Sequence, residues 1–297
     1  MQEQSVTIEA PQDWLLIGTL FEQDKAPQRG TVVLISGAAA VPHSYYANFA
    51  RFLIENGAAA VLCYDYRGIA ASAGDKNRWR RLKMKDWALL DFPAAAKWLA
   101  YNYPDADLVG LGHSYGGQAL GLSGVAQQFE RYATVATMSG YWRTLDTPIS
   151  AWIQTQIVGR LVASLLGRVP EAVSPGTTMP GGVFLDWARW IASPVYFFND
   201  PDLPETVRFS DVTLPYLSIG LTDDPWGTRR AVDDFMANYT RAELRQMWIE
   251  PAKSGAIGHL GFFSRRHKEA FWPLLAQFIL HGQWPEQAEV KKMVETS

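Results

Sequence analysis

The stretch Val109-Gly110-Leu111-Gly112-His113-Ser114-Tyr115-Gly116-Gly117 restricts the possible folds more than any other part of the chain. A short apolar run, Asp107 to Leu111, ends in Gly-x-Ser-x-Gly and is followed by residues that read as helix. A serine at such a strand-to-helix turn is held in a strained backbone, with its hydroxyl projecting above the edge of a sheet. The glycines two residues to either side are required because a β-carbon there would strike the adjoining strand or helix. The motif therefore predicts a buried strand, a nucleophilic Ser114, and a helix continuing to about Phe129.

The flanking sequence supplies the sheet this motif needs. Ser5–Glu9 and Trp14–Phe21, separated by Pro11-Gln12-Asp13, read as an antiparallel hairpin. Thr31–Ile35 and Ala58–Tyr64 are apolar runs of the kind found in strands covered on both faces. Between them Tyr45–Asn56 reads as a helix ended by Gly57. Asp86–Tyr103 has helical spacing, with Pro93 starting a second helix or kinking the first. After the serine helix, Tyr132–Met138 reads as another strand. Four strand–helix alternations argue for a mainly parallel α/β sheet with helices on both faces.

The alternation stops near Ser139-Gly140-Tyr141-Trp142 and resumes with Leu214–Gly220 (strand), Gly227–Asn238 (helix), Gln246–Glu250 (strand) and Arg265–His281 (helix). Residues 142–211 are expected to form a helical, tryptophan-rich cap inserted in a single domain spanning 1–297. Within it Trp152–Val169 reads as an amphipathic helix with Ile153, Ile157, Leu161, Leu165 and Val169 on one stripe. A Pro/Gly stretch and an aromatic helix, Val183–Ile191, follow. Lys291-Lys292-Met293-Val294-Glu295 reads as a frayed tail.

A chain of 297 residues with 48% hydrophobic and 19% charged residues is expected to be a soluble globular protein. A formal net charge of −3 gives no reason to expect nucleic acid. The single cysteine, Cys63, lies in an apolar strand, which fits a buried side chain and a reducing compartment. The N-terminus has no basic start or apolar signal core, and no apolar run approaches the roughly 20 residues that span a bilayer. The expectation is a cytoplasmic protein without membrane partner, acting on a small molecule; oligomeric state is not legible.

A serine hydroxyl becomes a nucleophile only when a base takes its proton and an acid orients that base. Of five histidines, His113 sits in the elbow and points away from the hydroxyl, His43 is in an early loop, and His267 and His281 belong to the last helix. His259, in Gly255-Ala256-Ile257-Gly258-His259-Leu260-Gly261, lies in a glycine-rich loop after the final strand and is the expected base. The acid should come from the strand end Thr222-Asp223-Asp224-Pro225. Pro225 fixes the turn in favour of Asp224, with Asp223 the alternative. An oxyanion needs two donors: the backbone N–H of Tyr115 follows from the elbow, and Ala38, in Gly37-Ala38-Ala39 after the Thr31–Ile35 strand, is the expected second. No metal or other cofactor is called for.

The elbow Gly112-His113-Ser114-Tyr115-Gly116-Gly117, Asp224, Gly258-His259 and the turn Asp65-Tyr66-Arg67-Gly68 together resemble the α/β-hydrolase superfamily over nearly the whole chain. The wording Tyr-Asp-Tyr-Arg-Gly, Ser-Gly-Tyr-Trp-Arg, Asp-Asp-Pro-Trp and Gly-His-Leu-Gly-Phe-Phe is similar to a bacterial group of α/β hydrolases without an established substrate. The resemblance implies an α/β-hydrolase fold and a serine hydrolase, carboxylesterase-like, cleaving an ester, thioester or amide through an acyl-enzyme. One departure concerns the oxyanion loop: the family's usual His-Gly is Ser36-Gly37 here. Serine at the nucleophile position argues against dehalogenase chemistry, which uses Asp.

Trp142, Trp187 and Trp190, with Trp152 and Phe184 beside them and Phe197 and Phe198 behind, are candidates for an apolar substrate-binding roof; the competing reading is that these rings form the cap's own core. The basic run Lys76–Lys85 offers either a solvated loop or a grip on an anionic carrier, which would suit an acyl-CoA thioesterase or acyltransferase. A catalytically silent ligand-binding or scaffold protein on the same fold is the third reading. The Trp152–Val169 helix has only Arg160 and Arg168 as cations, which argues against its lying on a membrane surface.

Overall fold

Residues 1–24, 30–174, 176–253 and 255–290 are described by a computed structural model. β1 (Gln2–Ala10) and β2 (Trp14–Glu22) form the expected hairpin, paired from Gln2 opposite Glu22 to Ala10 opposite Trp14. Alternation sends Val6, Ile8, Trp14, Leu16 and Leu20 to the protein side. β3 (Thr31–Ser36) is buried from Val32 to Ser36 because both its faces are covered, and Val32–Ile35 are accordingly apolar. A short 3-10 turn, His43–Tyr46, leads into α1 (Ala47–Glu55), and β4 (Ala60–Tyr64) follows.

The kink at Pro93 takes a definite form. Met84–Asp86 continues through a π-helical turn, Trp87–Asp91, into α2 (Phe92–Asn102), which has Pro93 in its first turn. The π turn shifts the hydrogen-bond ladder just where proline has no N–H to give. β5 (Asp107–His113) then delivers the elbow, and α3 (Tyr115–Ser123) follows it. That helix is shorter than its sequence suggests, because Gly124 turns left-handed (φ 72) and closes it.

After β6 (Arg131–Val135) comes α4 (Pro148–Leu166), with a π-helical middle, Ile153–Gly159. A two-stranded ladder of β7 (Arg168–Val169) and β8 (Met179–Pro180), separate from the main sheet, precedes α5 (Gly181–Ile191). A 3-10 stretch, Pro204–Asp211, leads back to β9 (Pro215–Leu221), α6 (Arg229–Met236), β10 (Glu243–Ile249) and α7 (Lys268–His281). A short β11 (Glu289–Val290), not foreseen from sequence, pairs antiparallel with β10; the Lys291–Glu295 tail lies outside the described residues. The main sheet runs β1-β2-β4-β3-β5-β6-β9-β10-β11, parallel from β4 through β10. Each face carries its own apolar core, one under α2, α3, α5 and α6 and the other under α1 and α7.

The apolar stripe of α4 turns away from the protein. Ile153, Ile157, Leu161 and Leu165 are 42%, 50%, 59% and 68% exposed, whereas Ala151, Thr155, Gly159 and Ala163 are buried. Small residues win the inner face because α5 comes so close: a β-carbon on Gly159 would lie 2.2 Å from the Phe184 ring. The Gln156 amide adds a hydrogen bond to the Ala188 carbonyl at 2.7 Å.

Candidate active site

The chain leaves β3 toward β4 on one side, and β5 leads to β6 on the other, so the sheet order reverses between β3 and β5. Loops diverge at such a switch and open a crevice beyond the carboxyl ends of the strands. Ser114 stands in that crevice at φ 52, ψ −113, a backbone conformation rare for a side chain. Close packing imposes it. A β-carbon on Gly112 would lie 2.3 Å from the Gly117 nitrogen, and one on Gly116 would lie 1.9 Å from the Ser36 carbonyl oxygen. The turn is further tied by Ser114 N–H to the Val135 carbonyl and by the Thr137 hydroxyl to the Ser114 carbonyl, both 2.9 Å.

His259 and Asp224 come to this serine from loops 145 and 35 residues apart from their partners in sequence. The Ser114 hydroxyl donates to His259 Nε2 at 2.9 Å, and His259 Nδ1–H donates to Asp224 Oδ2 at 2.7 Å. These directions follow from the carboxylate, which can only accept. Asp224 is buried, and its other oxygen accepts the Trp226 N–H at 2.8 Å. Burial opposes its charge, but His259 and the amides of Gly227 and Trp226 outweigh burial and hold its pKa below the usual carboxylate range. Asp223 points elsewhere and accepts the Ile257 N–H at 2.7 Å, bracing the histidine loop.

The second proposed oxyanion donor needs correction. The Ala38 N–H is committed to the Tyr46 hydroxyl at 2.9 Å and is not free for a substrate. The next amide, Ala39, has no protein acceptor among the described residues and borders the cavity beside Ser114. The Tyr115 N–H is the first of its helix and has no intrahelical acceptor. Tyr46 passes the hydrogen bonding on: its hydroxyl donates to His113 Nδ1 at 2.7 Å, and His113 Nε2–H donates to the His259 carbonyl at 2.9 Å. Burial, with the nearby His259 as the lesser cause, pushes the His113 pKa from 6.5 down to about 3, so the ring is neutral. The neighbouring Tyr45 hydroxyl donates to the Leu260 carbonyl. Nothing in the sequence marks Tyr45 and Tyr46 as anchors of a loop more than 200 residues away.

Ala38, Ala39, Met84, Ser114, Tyr115, Gln118, Met138, Trp187, Tyr196, Trp226, His259 and Leu260 enclose a cavity of about 60 Å³. Of the three candidate tryptophans only Trp187 lines it, stacked on Trp226 with ring centroids 5.7 Å apart. Trp190 is instead a buried strut whose indole N–H donates to Asp200 at 2.6 Å and which packs on Tyr196 and Phe197. Trp142 lies outside the cavity lining, against Tyr141, Trp152 and Arg143. Phe197 and Phe198 pack with Phe209 and Phe235 in the core. Aromatic side chains fill whatever apolar space the backbone leaves, so type alone did not separate lining from core. A wider groove of about 700 Å³ between β1 and the helix carrying Pro93 holds none of these polar groups.

A profile of the alpha/beta hydrolase family matches residues 32–271. The chain belongs to this family. No curated protein matches this hydrolase in sequence. Its fold is similar to an esterase of Pyrococcus furiosus (16% identity, TM-score 0.57, covering 96% of this chain and 91% of that one). It is also similar to Est1E of Butyrivibrio proteoclasticus with ferulic acid bound (14%, TM-score 0.58, 92% and 96%). A thioesterase domain from the curacin biosynthetic pathway matches comparably (12%, TM-score 0.57, 94% and 99%). At these identities the likeness is one of fold.

The basic run of this hydrolase is largely engaged in structure. Arg80 donates to the Ser164 and Leu165 carbonyls at 2.7 and 2.9 Å, closing the C-terminal end of α4. Arg78 lies over the Trp14 ring, and Lys85 donates to the Asp202 carbonyl. Among the described residues, no group of three or more His, Cys, Asp or Glu side chains is placed to hold a metal ion.

Proposed function

We propose that this hydrolase is a serine esterase working through an acyl-enzyme, with Ser114 as nucleophile, His259 as base and Asp224 as the group that orients it. The observation that carries this reading is the unbroken hydrogen-bond line from Ser114 through His259 to Asp224, on a serine held in strained backbone. Ser114 Oγ attacks the ester carbonyl carbon while its proton passes to His259 Nε2. The tetrahedral oxyanion is held by the N–H groups of Tyr115 and Ala39. As the C–O bond breaks, the alkoxide leaving group takes the proton from His259. Water then repeats the sequence against the acyl-enzyme and releases the acid.

The cavity limits the substrate. Pockets for whole small molecules run from about 300 Å³, so about 60 Å³ accommodates a short acyl group beneath Trp187 and Trp226. Anything larger requires those rings to part. Residues 142–211 act as the cap in this reading, and the apolar side chains that share the cavity with Ser114, Met84, Met138 and Trp226, favour a partly apolar acyl chain. The carrier-thioester alternative finds little support from Arg80, whose guanidinium is already bonded to α4.

A fluorophosphonate probe tests the proposal. The wild-type protein should label on a peptide containing Ser114, and Ser114→Ala should not label at all. A folded wild-type chain that never labels would assign the protein to the silent-scaffold reading. Turnover of p-nitrophenyl esters of rising chain length, set beside acyl-CoA thioesters, then separates esterase from thioesterase.

A further inference from the structure

We infer that the outer face of α4, together with the basic residues gathered at its C-terminal end, is a docking surface for an anionic lipid bilayer. Neither feature is used by the proposed chemistry. Ile149, Ile153, Ile157, Leu161 and Leu165 recur every fourth residue along the exposed side, flanked by Trp152, Val158 and Leu166, all of them more than a third exposed. Such spacing makes one continuous apolar face. Over 19 residues the helix is about 28 Å long by its rise per residue. Isolated exposed leucines are ordinary, but a ridge of this length is not.

By length and composition, with a mean hydropathy of 1.2, α4 is apolar enough to cross a membrane. Its other face is nonetheless buried at Ala151, Thr155, Gly159 and Ala163, the last two against α5, so the helix is placed to lie in a bilayer surface with its apolar side down. On its own α4 carries a single charge, Arg160, too few cations for an anionic surface. The fold supplies the others. Lys76, Arg80 and Arg168 line one surface depression with Leu166 and Gly167, where Arg80 grips the last turn of α4. The apolar ridge thus ends in a basic cluster drawn from two distant parts of the chain. Asp75, beside Lys76, and Glu171, three residues after Arg168, are the nearest carboxylates in sequence, and Asp75 accepts the Asn77 N–H.

Charge also decides between lipid and a second copy of the chain. α4 contains no Asp or Glu. Two-fold pairing along the ridge would therefore bring the Arg160 side chains no carboxylate from either helix. Lipid phosphates neutralise the same cations. Since α5 lies directly beneath α4 and carries Trp187, docking would set the roof of the Ser114 cavity at the lipid surface.

Co-sedimentation of the full chain with phosphatidylcholine vesicles, with and without phosphatidylglycerol, tests this. Binding is expected to the mixed vesicles, to weaken in high salt, and to be slight on phosphatidylcholine alone. The exposed pair Ile157→Ser and Leu161→Ser should lower the bound fraction about tenfold. Lys76→Gln with Arg168→Gln should lower the vesicle affinity about 30-fold, since each surface cation contributes about 1 kcal/mol. Both variants should keep the wild-type melting temperature and their reactivity toward a soluble ester. Wild-type protein that stays in the supernatant with anionic vesicles overturns the inference, as does binding that neither variant changes. A lipid-free dimer, seen by light scattering and lost in the Ile157→Ser and Leu161→Ser variant, would give the face to a second copy instead.

Discussion

At Asp224, His259 and two backbone amides keep a buried carboxylate ionised, whereas the adjacent Asp223 spends its oxygen on the Ile257 amide. Chemically identical side chains therefore have separable effects. Asp224→Asn is expected to lower kcat by about 10³- to 10⁴-fold with little change in KM, because the imidazole loses the partner that fixes its tautomer. Asp223→Ala should leave kcat nearly intact and instead cost about 1–3 kcal/mol of stability by orphaning the Ile257 N–H; steady-state kinetics and thermal melts of the two variants check the distinction. Since the folded pKa of Asp224 lies below its unfolded value, its contribution is present above about pH 4 and is lost as pH falls through the folded value. His113 acts in the same direction at higher pH. Its folded pKa of about 3 lies below the unfolded 6.5, so between these values the unfolded chain binds a proton that the folded one refuses. Stability should fall with acidification by about 1.4 kcal/mol per pH unit for that group. His113→Gln should remove that slope, measured as denaturant midpoints at about pH 6 and about pH 4.5.

Among the elements, the 3-10 turn His43–Tyr46 connects the loop after β3 to the loop after β10. Through Tyr46 and His113 the Ala38 amide and the His259 backbone are linked by three hydrogen bonds, and Tyr45 holds the next carbonyl. Tyr46→Phe deletes two of these bonds while keeping the ring packed on Phe263. Its expected result is a loss of about tenfold in kcat with KM nearly unchanged, since the reacting groups are displaced more than the binding cavity; a matching loss of fluorophosphonate labelling rate is the check. The strands, the elbow and most helices were legible because each depends on local pattern: apolar runs for β3 and β4, glycines at Gly112 and Gly116 for steric clearance. The end of α3 at Gly124 and the outward turn of α4 were not. An amphipathic stripe shows that a helix has two faces, but the closer approach available to Gly159 and Ala163 decided which of them was buried.

At the scale of the whole molecule, the reversal of strand order between β3 and β5 puts the elbow, the alanine loop and the histidine loop around one crevice, which Trp187 and Tyr196 also line. Trp187→Ala removes a ring from a cavity of about 60 Å³ and should shift ester preference toward longer acyl chains, with lower kcat/KM for the shortest ones; a chain-length series of p-nitrophenyl esters measures this. Trp190→Ala, by contrast, should leave that preference alone and cost about 3–5 kcal/mol, as expected for a buried strut. By itself the sequence determined the layered α/β fold, the strained turn at Ser114 and the residue types of the site, because backbone sterics and apolar periodicity act over a few neighbouring positions. Tertiary structure alone decided that Asp223 turns to the Ile257 amide, that Ala39 rather than Ala38 keeps a free amide, that Trp226 joins Trp187 in place of Trp142 and Trp190, and that the basic run closes the end of α4. Those outcomes depend on the direction in which a side chain or amide leaves the backbone, and direction is set by contacts between segments far apart in the chain.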